Sequence, residues 1–302
     1  MWSAMQIAIM TLDCIALMVG GLGDMAVLGL CVLEWSRKVV FCPYRVISFS
    51  VSISNLIAIC LQLASDDNMF DDSVLLEYVD LLSVTLLCSN LWFSTLLYVY
   101  YSIKIGVRRS TFYTWLNVKF PTILPYLLFS FLTISFVTAF IFLIEPLDNL
   151  PDNSSSALLT SIFEEHEEAY LKKLFMKSAL TQSLMALTSF LISFILVTQI
   201  LLSLYRHVQL VQSNNEGVGN FSLEAHFKAA KTLTVLLMFN VTFFVSMIIS
   251  FVSSKETLSF ALSCIFISIS LSIQPYILIL GNTNMKKQAK EMFHCVVMDV
   301  AN

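Results

Sequence analysis

The stretch EAHFKAAKTLTVLL, residues 224–237, changes character halfway along. Its first half interleaves Glu224, His226, Lys228 and Lys231 with small apolar residues. From Thr232 no acidic or basic residue follows until Lys255. An α-helix rises about 1.5 Å per residue, so about 20 apolar residues cross the roughly 30 Å of hydrocarbon in a bilayer. The charged half therefore reads as the foot of a spanning helix at a membrane surface, and the apolar half as its lower turns in lipid.

The rest of the chain repeats this pattern. Its 302 residues are 57% hydrophobic and only 13% charged, with mean hydropathy +0.80. Soluble domains carry about 25% charged residues, so the solvent here is mainly lipid. Apolar runs of spanning length lie near 7–33, 45–64, 78–103, 120–144, 174–203, 229–252 and 258–281. The expected fold is all-α: a seven-transmembrane helix bundle in one domain, 1–302, with a short tail at 282–302. The first run has no basic residue ahead of it and reads as an uncleaved signal anchor. Internal repeats are not evident, which argues against inverted-repeat transporter folds.

Charge orients the bundle. Arg37, Lys38, Arg45, Lys104, Arg108, Arg109, Lys119, Arg206, Lys228, Lys231, Lys286, Lys287 and Lys290 fall on one side, 13 of the 17 basic residues. The other side keeps Lys172, Lys173, Lys177 and Lys255, with the acidic stretches DDNMFDD (66–72) and EEHEE (164–168). The positive-inside rule then predicts an extracellular N-terminus and a cytosolic C-terminus in a multi-pass plasma-membrane protein. In that topology Asn153-Ser-Ser is a glycosylation sequon in an outside loop. Asn240-Val-Thr lies within a span and Asn220-Phe-Ser lies in the cytosol.

Several function classes find no support. A pI of about 5.6 argues against nucleic acid as a partner. The seven cysteines show no CxxC spacing and read as small apolar core residues. Cys295, beside the expected membrane surface, is also a palmitoylation candidate. HExxH, GxSxG and a phosphate loop are all missing, so neither an enzyme nor a metal or cofactor is expected. A channel or transporter needs polar residues threading the midplane or broken helices.

Local motifs narrow the reading. LLSLYRHVQLVQ (201–212), followed by EAHFKAAKTL (224–233), resembles the fifth-to-sixth helix junction of type 2 (bitter) taste receptors, a family of G-protein-coupled receptors. QPYILILGNTNMKKQ (274–288) is similar to that family's seventh-helix ending, and LWFSTLLYVYYSIKIG (91–106) to its third helix. The chain departs from the family at three buried polar positions: Asp24 stands for a usual Asn, Asn55 for a usual Arg and Gln274 for a usual His. It therefore resembles a divergent member, with a rewired polar network at Asp24, Asn55 and Gln274. A buried acid at Asp24 binds sodium or carries a proton; the sequence leaves both open.

The resemblance implies function as well as fold. A small bitter molecule would bind between helices three, five, six and seven near the outer face and shift the bundle toward a state that activates a gustducin-like heterotrimeric G protein. The family's third-helix contacts fall at Ser83 and Leu87, its seventh-helix contact near Cys264, and its sixth-helix gating aromatic at Phe243. Phe243, Phe244 and Phe260 are candidate aromatic walls; lipid or core contact is the plain alternative.

The residues themselves add Asp80, since an acid in or near a span is a functional candidate. Two readings stand: Asp80 and Glu77 cap the start of helix three, or Asp80 faces the pocket and admits cationic amines. Lys177 pairs with such an acid or meets lipid headgroups. On the cytosolic side, Tyr101 takes the position where most rhodopsin-like receptors carry Arg. Lys104, Arg108, Arg109, Arg206, His207, His226 and Lys228 would ring the mouth that meets the G protein; for each, anchoring at headgroups is the alternative. A second reading of the chain, a vomeronasal-type pheromone receptor, shares the short N-terminus but not the Glu-Ala-His-x-Lys-Ala and Ile-Leu-Gly-Asn motifs.

Overall fold

The computed structural model describes residues 4–37, 42–66, 73–105, 111–143, 180, 183–206, 209, 220–253 and 257–300. Among them no strand occurs. The helices are α1 (Ala4–Arg37), α2 (Pro43–Asp66), α3 (Ser73–Ile105), α4 (Thr111–Leu143), α5 (described as Ser183–Arg206), α6 (Asn220–Val252), α7 (Leu258–Gly281) and α8 (Thr283–Val300). The first seven are long and apolar enough to cross a membrane. Lipid offers no partner to backbone N–H and C=O groups, so each segment satisfies its own as a helix. Lys177 and the expected 174–179 start of helix five lie outside the described residues.

Burial sorts the helices. In its most apolar window α3 is 72% buried, against 17% for α4, so α3 is the axial helix and α4 faces outward. α1 packs on α2 and α7, α2 on α3, α3 on α4, and α6 on α7. The main core lies toward the end where Arg45, Lys104 and Lys228 sit, hereafter the basic end. Val27, Leu30, Tyr44, Ile47, Leu97, Tyr98, Phe120, Leu204, Leu233, Leu278 and Met285 belong to it. The far half holds two smaller clusters, one of Leu81, Val84, Cys88 and Ala139 and one including Leu91, Phe243, Met247 and Leu271.

Small residues set the closest approach. A Cβ on Gly20 would stand 2.8 Å from Ser272 Cα, and one on Gly23 2.8 Å from Pro275 Cγ. α1 thus lies almost backbone to backbone against α7, as small residues allow between membrane helices. Serines and threonines stay tolerable in these spans by donating to their own helix one turn back, as Ser50 Oγ does to Val46 O (2.9 Å) and Thr85 Oγ1 to Leu81 O (2.7 Å).

The segment after Gly281 is a helix in its own right. Asn282 Oδ1 accepts from the N–H groups of Asn284 (2.9 Å) and Met285 (3.2 Å), two of the donors a helix start leaves unpaired. Met285 is buried in the main core, while Lys286, Lys287 and Lys290 are exposed.

Candidate functional site

α3 carries one face from end to end. Ser83, Leu87, Asn90, Ser94, Tyr98 and Tyr101 are spaced three or four apart, which aligns them along a helix. At its middle, Gln274 of α7 donates from Nε2 to Ser94 Oγ at 2.6 Å and accepts at Oε1 from Asn90 Nδ2 at 3.4 Å. One turn further, Asn240 Nδ2 of α6 donates to the hydroxyl of the fully buried Tyr98 at 3.2 Å. Asn90, Ser94, Asn240 and Gln274 border a cavity of about 20 Å³ between α3, α6 and α7, room for one or two waters. Leu87, Leu91, Leu236, Phe239, Phe243, Ser270 and Leu271 complete its wall. Asn90 Oδ1 is buried there without a hydrogen-bond partner among the described residues.

The expected polar network is two networks. Asn55 Nδ2 donates to Asp24 Oδ2 at 2.6 Å and lies 3.4 Å from Leu271 O, joining α1, α2 and α7. Gln274 turns instead to α3. Both amide clusters meet α7 within one turn, at Leu271 and Gln274.

The expected ligand residues divide by depth. Leu87 and Phe243 line the cavity, Leu87 half-buried and Phe243 buried. Ser83 lies one turn toward the far end of α3. Cys264 lies about two turns toward the far end of α7 from Leu271, and Phe260 a turn beyond, where its N–H meets Thr257 Oγ1, the α7 N-cap, at 3.4 Å. These three do not line the cavity. Phe244 stacks on Phe190 of α5, centroids 6.2 Å apart. Asp80 and Glu77 are on α3, but their side chains, like Lys177 and Asn153, lie outside the described residues. α5 is tied to α3 by the Thr95–Ser189 hydroxyl pair at 2.8 Å, and by Ser189 Oγ donating to Leu91 O at 3.2 Å.

At the basic end the half-buried Tyr101 meets Tyr44 edge-on, centroids 6.0 Å apart, and Tyr100 at 5.4 Å. Tyr44 in turn donates its hydroxyl to Leu278 O at 2.7 Å. Tyr101 therefore leans on a clasp between α2 and α7. Beside it Arg45 forms an ion pair with Glu34, and Gln288 Nε2 of α8 donates to the same carboxylate at 2.7 Å. Lys104 and Arg206 are exposed and Lys228 half-buried. His207, Arg108, Arg109 and the side chains of His226 and Cys295 lie outside the described residues.

Sequence reasoning did not single out Asn90, Ser94, Asn240 or the Glu34–Arg45 pair. A signal was present for the first two, since they continue the Ser83–Leu87 spacing. For Glu34 and Arg45, on different helices, local sequence offers none.

A seven-helix membrane bundle with amides buried between its helices has the architecture of a G-protein-coupled receptor. Comparison with known proteins supplies the family: the model of the taste receptor protein family (TAS2R) matches residues 1–297, and the chain belongs to that family. It is 28% identical over 233 residues to taste receptor type 2 member 10 of Papio hamadryas, covering 75% of this chain and 72% of that one. To member 9 of Macaca mulatta it is 26% identical over 283 residues, 87% of this chain and 86% of that one. To member 8 of Pongo pygmaeus it is 24% identical over 210 residues, 68% and 67%. The chain is thus a multi-pass bitter taste receptor, divergent from these relatives. The family match sets aside the pheromone-receptor and transporter readings.

Proposed function

We propose that the receptor sits in the plasma membrane with its N-terminus outside, binds a small molecule from the far end of the bundle, and couples a gustducin-like G protein at the basic end. The carrying observation is the cavity between α3, α6 and α7. Its wall is mostly apolar, its amides and Ser94 are bonded across helices, and it continues the α3 face that runs from Ser83 to Tyr101. An agonist held above it by Ser83, Leu87, Phe243, Phe260 and Cys264 meets all three helices at once. Its ligand class is small and largely apolar, with one hydrogen-bonding group for the amides below. Asp80 and Lys177 extend that class to charged molecules, cationic amines in the case of Asp80.

The mechanism is a population shift: a ligand that binds the open bundle better than the closed one tilts the equilibrium. The Tyr44–Leu278 bond and the Tyr101 contact resist opening at the basic end. Lys104, Arg206, His207, His226 and Lys228 then face an acidic partner helix, where complementary charge aids encounter. Asn153 is the proposed glycosylation site.

The test is calcium release in cells expressing the chain with a gustducin-like chimeric G protein, challenged with bitter compounds and amines. A dose-dependent response that His226→Ala abolishes at unchanged surface expression supports the reading. A normal response from that variant removes His226 from coupling. Responses that ignore Leu87 and Phe243 substitutions remove the pocket.

A further inference from the structure

We infer that Asp24 and Asn55 form a proton-binding site: the seam between α1, α2 and α7 holds one proton on the Asp24 carboxyl group, making a neutral acid–amide pair. Two buried oxygens point to it. Asp24 and Asn55 are both 0% exposed. Asn55 Nδ2 donates to Asp24 Oδ2, which leaves Asp24 Oδ1 and Asn55 Oδ1 shut off from solvent without hydrogen-bond partners among the described residues. Buried oxygens in such a pair are normally satisfied. The Ser52 hydroxyl, drawn toward Asp24, is the further neutral donor on α2, and Asn55 Oδ1 is left with none among the described residues. A proton taken from solvent onto Oδ1 turns one orphan acceptor into a donor and removes the charge in the same step. Reversing the Asn55 amide only sharpens the need: it would set two oxygens 2.6 Å apart, a distance that requires a proton between them.

Charge leads to the same place. An ionised carboxylate buried in a span needs a counter-charge, and the neighbouring helices bring none to this level. α7 contains no Asp, Glu, Lys or Arg, and α2 has none between Arg45 and Asp66. Arg45 is ten residues from Asn55, about 15 Å along the helix, and already paired with Glu34. On α1 the nearest charged residues are Asp13 and Glu34, both acids. α3 and α4, which also pack on α2, carry charge only near their ends: Glu77, Asp80 and Lys104 on α3, Lys119 on α4. α8 meets α1 at Glu34. From α7 the ionisable side chain facing Asp24 is Tyr276, whose hydroxyl donates to Val19 O at 2.7 Å. The Ser52 hydroxyl, one turn from Asn55, interacts with Asp24 and offers it one hydrogen bond but no charge. A proton on Oδ1 needs no further ligand, whereas a sodium ion there would need several more oxygens around it than the Asn55 Oδ1 and Ser52 Oγ that the seam supplies.

Infrared spectroscopy of the purified receptor in lipid nanodiscs at neutral pH tests this. The expected result is a protonated-carboxyl C=O band, shifted by deuterium exchange, lost in Asp24→Asn and moved to higher frequency in Asn55→Leu. The second variant assigns the band even if the first fails to fold. A wild-type spectrum without such a band overturns the proposal. So does a thermal midpoint raised by sodium but not by N-methylglucamine and insensitive to sodium in Asp24→Asn, which would make the site a cation site.

Discussion

Gln274 of α7 and Ser94 of α3 are joined across the middle of the bundle by a 2.6 Å hydrogen bond from Nε2 to Oγ. The same amide accepts from Asn90. α3 is the axial helix and α7 is its counterpart across the cavity, so this bond fixes the width of the cavity floor.

Gln274→Leu keeps the bulk and removes both partners, leaving Ser94 and Asn90 buried and short of hydrogen bonds. A loss of about 1–3 kcal/mol is expected, seen as a lower thermal midpoint of the purified receptor and reduced surface expression. A midpoint equal to wild type would show that water fills the gap at no cost.

Two glycines of α1 should behave oppositely. Gly20→Val drives a side chain into the Ser272 backbone, and overpacking of this kind costs about 1–3 kcal/mol. Gly29 has nothing within 4 Å of its would-be Cβ, and Gly29→Ala is expected to be neutral or stabilising by up to about 1 kcal/mol. Thermal unfolding of both variants separates the cases. Equal effects would contradict the close α1–α7 contact.

The Glu34–Arg45 pair is largely buried, with side-chain exposures of 13% and 7%. Arg45→Met alone leaves Glu34 with Gln288 as its remaining described partner and is expected to cost at least roughly 1–3 kcal/mol. Arg45→Met with Glu34→Gln should recover most of that, because no buried charge is left over. A double variant no better than the single one argues against charge as the cause.

Leu87→Trp fills the cavity mouth and is expected to raise agonist half-maximal concentrations at least about tenfold, the equivalent of about 1.4 kcal/mol, at unchanged surface expression. Tyr44→Phe, which loses the bond to Leu278 O, is expected to raise basal signalling. Dose–response curves with expression controls read both effects. Unchanged potency in the first would place the ligand away from α3.

Much of this was legible in the sequence because membrane burial leaves a coarse mark. The seven apolar runs, their basic flanks and the motifs at 91–106, 201–212, 224–233 and 274–288 are local features. Helix period alone also aligns Ser83 with Leu87 and extends to Asn90 and Ser94. The partners of those residues were not legible. Asp24, Asn55 and Gln274 looked like one network, and the structure separates Gln274 from the other two by the direction its side chain takes.

The amino-acid sequence by itself determined that this chain is a seven-span helical bundle of the taste receptor family, since apolar length and backbone satisfaction are properties of each segment taken alone. Only the tertiary structure decided which helix is axial, that the segment after Gly281 is a capped helix docked through Met285, and that Asp24 meets Asn55 with two oxygens left over. Those facts depend on residues 31 to more than 200 positions apart coming within bonding distance. No local periodicity encodes the rotation of one helix about its axis relative to the next.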